Sequence, residues 1–183
     1  MGYPYISSTS SYNHTSGGSK GLYWYNTTTT GTYGDYQCIV LPPVDPTMGV
    51  DTLQFKFWAK ASSTSYNPVF QVGVMTDPYD ITSFVGVDTI SISGSTTWTE
   101  YEVPLAAYTG NGMYVALKAD RPSSSWYAYV DDLRLEIAPT CITPRNIYST
   151  AASTSTITVD WTPISPASNW QLEYGPVGFT VGS

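Results

Sequence analysis

Two tryptophans are expected where a ring is open to a ligand. Trp126 follows Ser123-Ser124-Ser125, a setting that predicts an exposed loop ring. Trp58 lies on the opposite phase of its segment from Phe55 and Phe57. Tyr23 and Tyr25 alternate in the same way with Leu22 and Trp24. Such amphipathic rings stack on the C–H faces of sugars at wet surfaces. Sugar hydroxyls then need planar polar groups close by. Gln54, on the outward phase beside Trp58, and Gln71, expected on the neighbouring strand, supply them. These six residues, Trp126, Trp58, Tyr23, Tyr25, Gln54 and Gln71, form the predicted binding face. The competing reading is ordinary surface tyrosine, with Trp58 covered by a loop. Trp24, Trp98 and Trp161 read as core residues.

The carboxylates offer fewer options. Glu100 and Glu102 lie two apart on one strand, hence on one face, and glycoside chemistry uses such pairs. No cleft signal accompanies them, and the segment reads as solvated. Asp77 and Asp80, three apart in a turn, either hold a cation or cap the turn backbone. His14, the single histidine, sits in a polar stretch and reads as a solvated loop residue. Neither G-x-S-x-G nor H-E-x-x-H occurs, so the expectation is a non-enzyme. Asn13-His14-Thr15 and Asn26-Thr27-Thr28 match the N-glycosylation pattern and mark expected surface loops. Cys38 and Cys141 fit no metal motif; they are either bridged or two separately buried thiols.

The elements that must carry these residues are strands. Leu53, Phe55, Phe57 and Ala59 alternate with Gln54, Lys56, Trp58 and Lys60, the period of a half-buried strand. Phe70 to Val74 repeats the pattern. Similar runs occur at Leu22–Tyr25, Tyr36–Leu41, Thr89–Ile92, Glu100–Leu105, Met113–Ala119 and Tyr127–Ile137. Short strands at this spacing make an antiparallel β-sandwich or jelly roll. Only 11% of residues are charged, whereas 47 of 183 are Ser or Thr, so hydroxyls rather than ions make the surface polar. The net charge of −7 argues against nucleic acid as a partner. No eighteen-residue apolar run exists for membrane insertion.

Three segments carry a family resemblance. They are Leu53 to Lys60, Val72-Gly73-Val74-Met75-Thr76-Asp77-Pro78 with Phe84 and Val87-Asp88-Thr89-Ile90, and Tyr127 to Leu133. Residues 3–137 resemble the jelly-roll modules of Bacteroidetes surface proteins, which look like MAM, cleaved-adhesin and carbohydrate-binding modules. The resemblance implies a further first strand ahead of Tyr3. It also implies a structural calcium ion at Asp131, the position two before Leu133 at the start of the last strand. Backbone carbonyls of the Gly18-Ser19-Lys20 turn, and a glutamate of that further first strand, would supply the other oxygens. A carboxylate suits this hard cation. The other reading is a pair of surface carboxylates, Asp131 and Asp132, facing Arg134 or Lys20.

Beyond residue 138, Pro144, Asn146-Ile147, Thr156 to Trp161 and Leu172-Glu173-Tyr174-Gly175 resemble the first three strands of a fibronectin type III domain. The expected organisation is therefore a jelly roll over 1–138 and a partial type III segment over 139–183, an internal piece of a longer modular protein. The expected role is that of a non-catalytic glycan-binding module of a secreted or surface protein. A module gripping a host or matrix protein, and an inert spacer, are the alternatives.

Overall fold

The computed structural model describes residues 3–28, 35–140, 144–163, 169–176 and 178–180. The chain divides into two compact units, Met1–Ala138 and Pro139–Ser183. The first holds β1 (Pro4–Ser7), β2 (Gly21–Asn26), β3 (Tyr36–Val40), β4 (Leu53–Ala61), β5 (Val69–Met75), β6 (Val85–Ser91), β7 (Thr99–Pro104), β8 (Tyr114–Asp120) and β9 (Trp126–Ile137). They pair antiparallel in two sheets, one in the order β1-β2-β9-β4-β7 and one in the order β3-β8-β5-β6. This is an all-β sandwich.

Alternation decides what goes inside. Leu53, Phe55, Phe57 and Ala59 of β4 are buried, as are Phe70, Val72 and Val74 of β5 and Val115, Leu117 and Ala119 of β8. Phe70 joins the two layers. Its ring meets Trp24 edge-on at 4.9 Å, Trp126 at 5.3 Å and Phe57 at 6.5 Å. Aromatic pairs favour such edge-to-face contacts. A polar clip closes one end of the sandwich. Asn26, fully buried, donates from Nδ2 to the Asp120 carbonyl at 2.9 Å. Gln37 Nε2 donates to the Tyr25 carbonyl at 2.8 Å and to Asn26 Oδ1 at 3.3 Å. Buried amides must find partners, and here they fix the backbone at Asp120 across the two sheets.

The sandwich changes several expectations. Trp126 is only 4% exposed and belongs to the core, because it shares the inward phase of Ala128 and Val130. Gln71 is not beside Trp58, since β4 and β5 lie in different sheets. Trp98 is half-buried on the outside of its sheet, with the Lys60 ammonium 4.7 Å above its ring. Asn26, expected in a surface loop, is enclosed by the clip, so only Asn13 of the two glycosylation patterns retains any exposure.

The second unit contains a hairpin of β10 (Arg145–Ala152) and β11 (Ile157–Thr162). Trp161 is half-buried, its ring 5.7 Å from that of Trp170. The strand expected at Leu172 to Gly175 has no regular structure. Cys38 is half-buried, and desolvation pushes its thiol up to about 11. Cys141 lies outside the described residues, so the bridge does too.

Candidate functional site

The outward side chains of β2, β9 and β4 bring Tyr23, Tyr25 and Trp58 onto one face of the five-stranded sheet. The register sets the rows: Tyr5 pairs Tyr23, Tyr23 pairs Tyr129, and Tyr129 pairs Lys60. Tyr25 pairs Tyr127, their rings 4.8 Å apart and 3° from parallel. Cross-strand neighbours of this kind stabilise a sheet. They also turn ring faces toward each other and leave edges and hydroxyls outward.

Part of this face is covered. Residues 8–20 cross it as a strap. Tyr12, in a short 3-10 turn (Ser10–Tyr12), stacks on Tyr129 at 4.4 Å and on Tyr23 at 5.2 Å. His14 stacks on Trp58 at 3.9 Å and meets Trp98 edge-on at 5.4 Å. Trp58 is therefore a half-buried ring under His14 and not an open platform.

The strap is tied to the start of the Asp131-Asp132 pair. The His14 backbone N–H donates to Asp131 Oδ2 at 2.8 Å. Asp132 Oδ2 lies 2.7 Å from His14 Nδ1, and Asp132 Oδ1 accepts from the Thr15 hydroxyl. Asp132 adopts a left-handed φ of 51°, which aims its carboxylate at the strap. Desolvation pushes the Asp132 carboxyl up. The bonds from His14 and Thr15 outweigh it and hold the group below the usual carboxylate range. His14 is thus a built contact and not the solvated loop residue expected. Lys20 is exposed, and Gly18 packs its backbone against the Asn13 side chain.

The remaining carboxylates are satisfied locally. Glu102 pairs Lys56 at 2.6 Å, and Glu100 pairs Arg134. Lys56 also reaches Glu136 at 3.1 Å. Gln54 is 4% exposed beneath this ladder and donates to Glu136 Oε1 at 2.8 Å. It supports the charged pairs and is not offered to a ligand, since long side chains of its neighbours close over it. Asp80 Oδ1 accepts from the N–H and hydroxyl of Thr82, and Asp77 Oδ1 from the Tyr79 N–H, so both cap turns.

Gln71 and Trp126 meet elsewhere. They line a cleft of about 340 Å³ at the clipped end of the sandwich, between the chain before β5 and the chain joining β8 to β9. Tyr66, Asn67, Asp120 and Arg121 line it as well, with Ser123, Ser124 and Ser125 on its rim. Trp126 forms part of its base. The Asp120 carboxylate accepts from Gln71 Nε2 and from Lys118 Nζ, both at 2.8 Å. Gln71 also borders a shallower depression of about 390 Å³ on the outer face of the four-stranded sheet, beside Thr89. Tyr66 is the residue missed in the sequence. It is a ring in a Ser- and Asn-rich loop, the signal that singled out Trp126.

No protein-family model matches the chain, and no curated protein does. Solved structures do. A cleaved adhesin domain of Lys-gingipain from Porphyromonas gingivalis superposes with a TM-score of 0.55 at 17% identity, covering 75% of this chain and 85% of that one. A second cleaved adhesin domain of Lys-gingipain gives 0.54 at 14%, covering 74% and 84%. The family 30 carbohydrate-binding module of a Clostridium thermocellum cellulosomal cellulase gives 0.51 at 14%, covering 74% and 82%. At these identities the likeness speaks for the fold. The chain carries the jelly roll of cleaved-adhesin and carbohydrate-binding modules.

Proposed function

We propose that the first unit is a non-catalytic module that binds an uncharged glycan in the cleft at the end of the sandwich. The observation that carries this is the convergence there of the Tyr66 ring with the planar polar groups of Asn67, Gln71, Asp120 and Arg121. The volume lies in the range of small-ligand sites, which combine a few fixed polar groups with apolar walls. Amide, carboxylate and guanidinium groups offer paired donors and acceptors to the vicinal hydroxyls of a sugar. Lys118 and the Asn26 clip hold Asp120 in place, so little order has to be imposed when ligand arrives. The structural neighbours include a carbohydrate-binding module, which agrees with this reading. We place the protein outside the cell or on its surface, and we read the second unit as type III-like.

A glycan array followed by calorimetry on the retained sugar tests the site. Gln71→Ala should weaken binding about tenfold, ~1.4 kcal/mol, with the melting temperature unchanged. A wild type that retains no glycan would reject the reading.

Calcium belongs to the proposal as a stabiliser of the strap. Asn13 Oδ1 is a buried oxygen without a hydrogen-bond partner, next in sequence to the His14 amide that reaches Asp131. A neutral carbonyl and two adjacent carboxylates are the donor chemistry this cation prefers. Asn13, Asp131 and Asp132 would hold the ion, with carbonyls from the Gly18 to Lys20 turn. A ligand that binds only the folded state raises its stability. Calcium should therefore raise the melting temperature of the wild type and leave Asp131→Ala unmoved. Identical melts with calcium and with chelator would remove the site.

A further inference from the structure

The end of the sandwich opposite the glycan cleft carries a second recess, of about 310 Å³. β4 and β8 run between the two ends. The first cleft is walled by the chain that follows these strands, at residues 65–67 and 120–126. The second is walled by the chain that precedes them, within residues 46–51 and 108–113. The nine residues of β4 separate the two by roughly 30 Å.

The second recess has a different chemistry. Its one aromatic residue, Tyr108, is 6% exposed and offers no open ring face. The Tyr108 hydroxyl accepts from the Gly112 N–H at 2.7 Å. A Cβ at Gly110 or Gly112 would lie 2.4 or 2.6 Å from that oxygen, so glycine at both positions is what lets the hydroxyl sit there. A sugar ring finds nothing to stack on. Two thioethers take the place of rings, Met48 and Met113, 40% and 36% exposed. Methionine side chains are flexible and polarizable, and they adapt to an alkyl stem.

The charge of this end has one sign. Residues 41–52 and 105–113 include no Lys or Arg, and their charged side chains are Asp45 and Asp51. Asp45 Oδ1 already accepts from the N–H and the hydroxyl of Thr47. Asp51 lines the recess and is exposed, and among the described residues no hydrogen bond or ion pair engages it. Every other aspartate of the first unit has such a partner. A carboxylate without a cation, beside two thioethers, favours a positive group on an apolar stem and repels phosphate and sulfate. Guanidinium suits it better than ammonium, because it is more weakly hydrated and its planar fork matches a carboxylate. The backbone at Gly49 and Gly110 is exposed and carries no side chain to cover it. Its polar groups are left for main-chain hydrogen bonds with whatever segment bears the guanidinium.

We propose that this recess docks an arginine side chain of a partner polypeptide, with the guanidinium on Asp51 and its methylenes between Met48 and Met113. The net charge of −7 draws a basic segment in from a distance. The site does not rest on the glycan reading. With both sites filled, the module holds a glycan at one end and a protein at the other.

Amide NMR titration of the full chain with a blocked Gly-Arg-Gly peptide tests this. Blocked Gly-Lys-Gly, blocked Gly-citrulline-Gly and free agmatine are the comparison ligands. The arginine peptide should shift the amides of residues 48–51 and 108–113 and leave those of 65–67 and 120–126 in place. Citrulline keeps the shape without the charge, so its peptide should bind about tenfold more weakly, as should the arginine peptide to Asp51→Asn. Met48→Ser with Met113→Ser should weaken binding severalfold, and Gln71→Ala should leave it unchanged. Thermal melts of each variant separate a lost contact from a lost fold. Absence of shifts at the recess overturns the site, as do equal affinities for the arginine and citrulline peptides or for wild type and Asp51→Asn. Tighter binding of the lysine peptide overturns the guanidinium assignment. Agmatine bound as tightly as the arginine peptide overturns the polypeptide partner.

Discussion

Trp126→Ala is expected to lose about 3–5 kcal/mol of folding stability, the range seen when a large buried ring is truncated. The ring is 4% exposed and stands edge-on to Phe70 at 5.3 Å. Phe70 in turn carries the contacts of Trp24 and Phe57, so the vacated volume opens at the point where the two sheets meet. A loss of this size is a large part of a total that is ~5–15 kcal/mol for most domains. Urea denaturation of wild type and variant gives the difference directly. Trp126→Phe should keep much of it, since an aromatic ring still reaches Phe70. Trp126 also floors the cleft, so a binding assay on the alanine variant alone would mistake unfolding for a lost contact. A Trp126→Ala protein with a midpoint equal to that of wild type would mean that the ring is not the joint between the layers described above.

The wrong expectation for Trp126 shows what the sequence could reveal. The phase of β9 was readable, because Trp126, Ala128 and Val130 share one side. The three preceding serines outweighed it, although they belong to the cleft rim and not to the ring's surroundings. Period-two alternation located the inward faces of β4 and β5 correctly, since burial acts on each strand separately. It could not tell which sheet each strand joins. The link from β4 to β5 crosses the sandwich, which moved Gln71 away from Trp58 and toward Asp120. Nor does alternation say what lies above an outward residue. Trp58 has the predicted orientation, but His14, 44 positions earlier, stacks on it. Gln54 also points outward and is buried by the Lys56 and Glu136 side chains of its own sheet. The tyrosines needed only the strand register, which local pattern supplies once the partners are known. Gln71 and Trp126 come together at the cleft, among neighbours that alternation does not specify.

Gly21→Ala is expected to cost about 1–3 kcal/mol through overpacking, and to do so by lifting the strap. Gly21 opens β2 and pairs with Ser7. A Cβ built there would overlap the Tyr12 carbonyl oxygen and lie 2.6 Å from the Tyr12 carbonyl carbon. Backbone meets backbone, so no rotamer change relieves the contact. At an uncrowded position whose backbone alanine can adopt, the same substitution stabilises by roughly 0.4–1 kcal/mol, because it restricts the unfolded chain. The sign at Gly21 therefore reports the contact itself. Gly17→Ala separates this from backbone strain. Gly17 has a φ of 78° with nothing within 4 Å of its added carbon, so only the left-handed conformation is penalised. In Gly21→Ala the Tyr12 stack on Tyr129 and the His14 stack on Trp58 should loosen together, since both hang from the same stretch of backbone. Aromatic NMR shifts of Tyr12 and His14 should move in Gly21→Ala and stay close to wild type in Gly17→Ala. If both rings keep their wild-type shifts and stability rises in Gly21→Ala, the strap does not rest on β2. If they move, the strap is a separable cover over Tyr23, Tyr129 and Trp58, with the outer tyrosines open beside it.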